Sequence, residues 1–98
     1  MDSDILQALK NVIDPELGIN VVDLGLVYRA AHVLGGIEVA LAMTSPACPL
    51  GEMMVAEATS ALQARFPEAS SVQVELLRDV PWSPERMSEE GRRQLGLN

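Results

Sequence analysis

Residues Gly35–Thr44 read GGIEVALAMT and carry the strongest structural pattern in this 98-residue chain. The Gly-Gly pair is typical of a tight hairpin turn, which requires backbone conformations that glycine adopts readily. After it, Ile37, Val39, Leu41 and Met43 alternate with other residues and point to one side of an extended chain. The stretch therefore predicts a hairpin turn followed by a strand with one buried face.

The flanking patterns place the neighbouring elements. A strand is predicted over Leu26 to Val33, on the other side of the hairpin turn. A loop at Ser45–Pro49 leads into a long helix from about Pro49 to Phe66, and alternating apolar residues over 72–76 predict another strand. The helix between the last two strands allows them to run parallel.

The two ends of the chain complete the order of elements. Ser3 to Ile13 has the apolar spacing of a helix that ends at Asp14-Pro15. Ile19 to Asp23 fits either a short strand or an irregular turn, and Pro84 to Leu95 fits a helix that ends at Gly96. We therefore expect one α+β domain over residues 1–98, ordered α-β-β-α-β-α, with a small mixed sheet of three to four strands and helices packed on one face.

Composition excludes several classes of function. Hydrophobic residues make up 48% and charged residues 21%, as in globular proteins, and the net charge is −7. This charge repels phosphate backbones and anionic lipid surfaces, so we expect neither nucleic-acid nor membrane partners. A single cysteine cannot form a disulfide within the chain, which favours a cytoplasmic location.

Apolar side chains at helical or strand spacing are assigned to the core. Met43, Met53, Met54 and Met87 are soft-metal ligand types, but each falls on the apolar face of a predicted element. Ile13 similarly lies on the apolar face of the first predicted helix. We therefore predict core packing for these side chains rather than a metal site.

Cys48 is the first candidate for chemistry. It lies in Thr44–Leu50, TSPACPL, where Pro49 at the first helical position would leave Cys48 as the N-cap. Free amide groups and the helix dipole lower a thiol pKa at that position and favour the metal-binding thiolate. The alternative is a small buried residue at a tight turn, and local context leaves both interpretations open.

Acidic residues and one histidine are weaker candidates. Asp14-Pro15-Glu16 fits a metal-facing pair of carboxylates, but taken alone a helix-ending turn with solvated acids is the favoured interpretation. In Asp23-Leu24-Gly25, the aspartate suits a backbone cap and the glycine an unusual φ. His32 lies near the hairpin turn, whereas the chain after Thr44 leads away from it, which argues against a Cys–His hydrolase. Trp82 either packs over the edge of the core or contributes to a partner surface.

Four motifs, in order and spanning nearly the whole chain, resemble those of a known family. They are DPELG at 14–18, VDLGLV at 22–27, TSPACP at 44–49 and PWSPERMS at 81–88. Together they are similar to the small metal–sulfur cluster assembly factors, which include SufT-type and PaaD-type proteins and were formerly catalogued as a domain of unknown function.

The resemblance implies an accessory role, without catalysis, in iron–sulfur cluster assembly or delivery to client apo-proteins. It implies that Cys48 is the functional thiol and a cluster ligand, with Asp14, Glu16, Thr44 and Ser45 forming the pocket around it. Clusters normally take four thiolates, so one thiol would hold iron or a cluster only transiently. Two chains of a homodimer, a scaffold, a client or a small thiol would complete the ligand set.

Two other functions stay open. In a thiol enzyme, Cys48 would be the nucleophile and Asp14 or Glu16 the base, although carboxylates are poor bases for thiols because their pKa is low. In an interaction module, Cys48 would be inert and the segment around Trp82 would contact the partner.

Overall fold

The computed structural model describes residues 1–43 and 51–96. Its elements follow the expected order α-β-β-α-β-α, with a short 3₁₀ turn before the last helix. They are α1 (Ser3–Leu9), β1 (Val27–Val33), β2 (Gly36–Ala42), α2 (Gly51–Arg65), β3 (Val72–Leu77), the 3₁₀ turn (Pro84–Arg86) and α3 (Glu89–Leu95).

The sheet is mixed and has the strand order β1-β2-β3. β1 and β2 are antiparallel and joined by a hairpin, as predicted, but its turn lies one residue earlier than Gly35-Gly36: Leu34 and Gly35 have positive φ, and Gly36 already pairs with Val33. β2 and β3 are parallel and joined through α2. Residues Ile19–Asp23 contribute only one isolated bridge, between Asn20 and Ile13, so the fourth strand that the sequence allowed does not form.

The first helix is shorter than predicted and ends at Leu9 rather than Ile13. The cause is a local antiparallel pairing that the sequence analysis did not include. The amide of Val21 donates to the carbonyl of Val12, and the amide of Asp14 donates to the carbonyl of Ile19, both at 3.0 Å. This pairing requires extended backbone, which β-branched residues adopt readily.

One face of the sheet forms the core together with the helices. Register places Ile37, Val39 and Leu41 of β2 beside alternate residues of β3 on that face, and α2 packs against β3 and α1. The buried residues of α2 are Gly51, Met54, Ala58 and Leu62. The opposite face carries the buried Ala40 and Ala42 as well as polar side chains, including an exposed ion pair between Arg29 and Glu38.

Two side chains assigned to the core lie on the surface instead. Met43, Met54 and Met87 are buried as predicted, but Met53 is 42% exposed and Ile13 is 45% exposed. Met53 lies about 100° around the helix from the buried stripe that begins at Met54. Ile13 is displaced because the helix that would have turned it inward has already ended.

The last predicted helix is divided into two elements. Met87 has extended backbone and a buried side chain, and this separates the 3₁₀ turn from α3. The Ser88 hydroxyl accepts a hydrogen bond from the amide of Gly91 and caps α3, which ends at Gly96 in the left-handed conformation. The predicted end of the helix is therefore right, whereas its predicted start at Pro84 is not.

Candidate functional site

The predicted thiol and two of its predicted neighbours, Cys48, Thr44 and Ser45, lie outside the described residues. The residues on either side of them contact each other. A Cβ atom on Gly51 would lie 2.7 Å from the sulfur of Met43 and 2.7 Å from Cδ2 of Leu76. Both described flanks of that segment, Met43 and Gly51, therefore lie at the carboxyl ends of the parallel strands β2 and β3.

A cavity of about 340 Å³ opens at the same end of the sheet. Its described lining consists of Met43 after β2, Leu77 at the end of β3 and residues 78–82 after it. Arg78 contributes a guanidinium group, which lies 3.8 Å from the carboxylate of Glu52 in the first turn of α2. The cavity thus combines an apolar wall with two charged residues, Arg78 and Asp79.

The Asp14 turn is built around a buried carboxylate. Asp14 is 1% exposed, and its Oδ1 accepts hydrogen bonds from the amides of Glu16 at 2.8 Å and Leu17 at 3.2 Å. Its carbonyl accepts from the amide of Gly18, which has the left-handed φ of +72°. Asp14 therefore holds the turn in shape from inside, whereas Glu16 is exposed.

This turn faces the N-terminal half of α2. Ile13 and Pro15 on one side, and Met53, Ala56 and Glu57 on the other, line an open groove of about 650 Å³. The fold thus brings the first sequence motif close to the helix that follows Cys48.

The VDLG and PWSPERMS motifs bind each other through three consecutive carbonyl groups. The indole N–H of Trp82 donates to the carbonyl of Leu24. Nε of Arg86 donates to the carbonyl of Gly25 at 3.0 Å, and the amide of Ser88 donates to the carbonyl of Asp23 at 2.8 Å. We call these contacts between residues 23–25 and 82–88 the C-terminal clamp.

Gly25 and the side chain of Tyr28 both fit closely into the clamp. Gly25 has φ of +76°, and a Cβ atom there would overlap the carbonyl of Arg86. The guanidinium of Arg86 lies 3.8 Å from the centre of the Tyr28 ring, as in a cation–π contact. The strand register shifts between Val27 and Arg29, beside Tyr28, as it does at a β-bulge.

The carboxylate of Asp23 is the ionisable group at the centre of the clamp. It accepts hydrogen bonds from Nδ2 of Asn20 at 2.7 Å and from the hydroxyl of Ser88 at 2.8 Å. Burial acts to raise the pKa of Asp23, but the two hydrogen bonds and the charge of Lys10 outweigh it and lower the pKa below its usual value. Asp23 is therefore held as the charged carboxylate.

His32 takes part in a different cluster. It lies on β1, with Nε2 at 3.5 Å from the carboxylate of Asp2 and its ring edge-on to Phe66 at 5.4 Å between centres. Within residues 1–43 and 51–96, no three His, Cys, Asp or Glu side chains come together as a metal-binding group.

Comparison with known proteins identifies the family. The family described as iron–sulfur cluster assembly protein matches residues 2–76, from α1 through most of β3. The chain belongs to this family.

Two relatives extend the similarity to nearly the full length. The Fe-S protein maturation auxiliary factor YitW of Bacillus subtilis is 36% identical over 98 residues, which cover 99% of this chain and 95% of that protein. The Fe-S protein maturation auxiliary factor SufT of Staphylococcus aureus is 36% identical over 88 residues, which cover 89% of this chain and 99% of that protein. The resemblance drawn from the four motifs is thereby confirmed.

A solved structure supports the fold of this family member. A Bacillus anthracis domain of unknown function superposes with a TM-score of 0.88 at 35% identity, covering 96% of this chain and 90% of that one. None of the described helices has the length and apolar character that crossing a membrane requires.

Sequence reasoning missed two features of this family member. The clamp was suggested only through a capping role for Asp23, because nothing in the local pattern links residues 23–25 to a segment some sixty positions later. The groove was missed because Ile13 and Met53 were assigned to the core. The available signal was the position of Met53, which lies next to the buried stripe of α2 and not within it.

Proposed function

We propose that this protein is a non-catalytic accessory factor in iron–sulfur cluster assembly or delivery, and that Cys48 is its functional thiol. The observation that carries the proposal is the full-length similarity to two Fe-S protein maturation auxiliary factors, at 36% identity in each case. We further propose that residues 1–98 act as one domain, since the helices and the sheet contribute to one hydrophobic core.

The surroundings of the loop support a role for Cys48. Cys48 lies in the segment between Met43 and Gly51, and these two flanking residues contact each other at the carboxyl ends of β2 and β3. The cavity beside Met43 opens at that same end of the sheet.

Asp14 and Glu16 have different parts in this proposal. Oδ1 of Asp14 is occupied by two amide groups of its own turn, so Asp14 acts by shaping the turn that faces α2. Glu16 is exposed and can meet a metal ion or a partner. Thr44 and Ser45 complete the proposed pocket around the thiol.

An iron–sulfur cluster is cargo for such a protein. The chain has one cysteine, whereas a cluster normally takes four thiolates. A second copy in a homodimer, a scaffold or a client would therefore supply the remaining ligands. Sharing the ligands keeps the cluster labile, which suits a carrier that has to release it.

Location and partners follow from the same role. We propose that the protein acts in the cytoplasm on scaffold and client proteins, without nucleic acid or a membrane. The net charge of −7 supports the absence of those two partners, and the single cysteine supports a reducing compartment.

The test is anaerobic reconstitution with ferrous iron and sulfide, followed by visible absorption and iron analysis of the desalted protein. Wild type is compared with Cys48→Ala and Cys48→Ser, after circular dichroism has shown that all three are folded. We expect iron and sulfide to remain with wild type and to be lost from Cys48→Ala. Equal retention by the three proteins would remove Cys48 from the ligands and overturn the proposal.

A further inference from the structure

The groove between the Asp14 turn and α2 exposes two large apolar side chains side by side. Ile13 is 45% exposed and Met53 is 42% exposed, and Pro15 and Ala56 extend the apolar surface between them. Solvent contact with these side chains has an unfavourable hydration free energy, which a partner covering them would recover.

The walls of the groove are held in place by main-chain contacts. Ile13 forms the isolated β-bridge with Asn20, and the turn carrying Pro15 is fixed by the buried carboxylate of Asp14. Met53 and Ala56 lie within the 15-residue helix α2. Binding of a ligand would therefore immobilise few additional groups of this protein, and this lowers the entropic cost of binding.

The charge of the groove selects the kind of partner. Among the described residues that line it, Glu57 carries the only charge. The protein as a whole has a net charge of −7. A cationic partner is therefore attracted, whereas a symmetric pairing of two such grooves would bring two Glu57 carboxylates toward each other.

We propose that this groove binds a segment of a client or scaffold protein that carries large apolar side chains flanked by Lys or Arg. An amphipathic helix meets this description, with its apolar side chains between Ile13 and Met53 and a basic side chain against Glu57. The inference rests on the proposed function, because it assigns the partner of the same carrier.

The position of the groove suits cluster delivery. Met53 follows Cys48 by five residues, with Gly51 already in the helix. A segment seated between Ile13 and Met53 would hold its protein beside the end of the sheet to which Cys48 is tethered. Docking and cluster ligation would then use adjacent, separable surfaces.

The test uses synthetic peptides and methyl NMR of the full chain labelled at Ile and Met methyl groups. The probe is an amphipathic helical peptide with Leu on one face and Lys at its margins. One companion peptide has Glu in place of Lys, and another has the same composition in scrambled order. We expect the first peptide to shift the methyl signals of Ile13 and Met53 selectively, and the other two to leave them unchanged at equal concentration.

Two groove variants and two control variants locate the binding. Glu57→Lys and Met53→Ala should each raise the dissociation constant about fivefold, the effect of removing one interfacial contact. Leu34→Asp, at the 99% exposed tip of the hairpin, is the matched control and should bind as wild type does. Cys48→Ala should also bind normally, so a failed thiol proposal and a failed docking proposal give different results.

Several outcomes would overturn the inference. One is a set of equal shifts at Met1, which is 72% exposed and outside the groove, as expected for adsorption of a cationic peptide to an acidic protein. Others are equal binding of the Glu-containing peptide, no shift at any peptide concentration, and shifts of the same methyl groups on raising protein concentration alone, which would identify a second copy as the occupant.

Discussion

Ser88 and Asp23 join the C-terminal segment to the loop before β1 through two hydrogen bonds. The hydroxyl of Ser88 donates to Oδ1 of Asp23, and its amide donates to the carbonyl of the same residue, both at 2.8 Å. The hydroxyl also caps α3 by accepting from the amide of Gly91. One serine therefore starts the last helix and holds it against the middle of the chain.

Because the pKa of Asp23 is lowered by folding, the clamp should weaken in acid. The unfolded chain takes up the proton first as pH falls, so the stabilisation is complete above about pH 4 and is lost as pH falls through the folded-state pKa. The difference in unfolding free energy between wild type and Asp23→Asn should therefore shrink in acid. Urea unfolding followed by circular dichroism at a series of pH values measures it, and a difference that is constant with pH would contradict the assignment.

Close packing at Gly25 is tested by comparing two glycines of similar backbone conformation. Gly25 and Gly18 have φ of +76° and +72°, but only at Gly25 would a Cβ atom meet other atoms within 4 Å. Gly18→Ala should cost about 1–2 kcal/mol of unfolding free energy, from the left-handed backbone alone. Gly25→Ala should cost about 1–3 kcal/mol more, since the Arg86 segment has to move. Equal costs would show that the clamp is loose.

Strands and the long helix were predictable from sequence because their signals are local. The Gly35-Gly36 pair and the alternation that follows it set the hairpin, and the apolar stripe through Met54, Ala58 and Leu62 set the helix. The end of α1 was not predictable, because Val12 pairs with a residue nine positions later, and this pairing competes with helix formation.

The candidate site was predictable in its motifs but not in its geometry. Asp14 was expected to be one of two solvated acids or a metal-facing group, yet it is buried and bound to its own turn. Its neighbour Pro15 faces α2, a contact that depends on packing of elements far apart in sequence. Likewise, the spacing of Met53 and Met54 does not show by itself which of the two faces the core.

Met53 and Met54 provide a matched test of that packing. Met54 is 1% exposed and Met53 is 42% exposed. Met54→Ala should lower the free energy of unfolding by about 2–5 kcal/mol through cavity formation, and Met53→Ala should change it by about 0.5 kcal/mol or less. Chemical denaturation of the two variants measures both changes in unfolding free energy. Similar losses would mean that Met53 is part of the core and that the groove is misassigned.

The Asp14 turn predicts a contrast between two neighbouring acids. Asp14→Ala leaves two amides without their acceptor and should cost about 1–3 kcal/mol, whereas Glu16→Ala should stay within about 0.5 kcal/mol. Thermal and urea unfolding measure both. If Glu16→Ala also loses iron in reconstitution while keeping its stability, the exposed acid takes part in the site; if Asp14→Ala is as stable as wild type, the buried carboxylate does not shape the turn.

Delivery of a cluster tests the account most directly. Visible circular dichroism measures the rate at which an apo-ferredoxin acquires its cluster. The cluster source is either reconstituted wild-type protein or the Cys48→Ala variant treated in the same way. We expect wild type to transfer the cluster faster than free iron and sulfide do, and Cys48→Ala to give no acceleration. Equal acceleration by both proteins would contradict the assignment of Cys48 as the functional thiol.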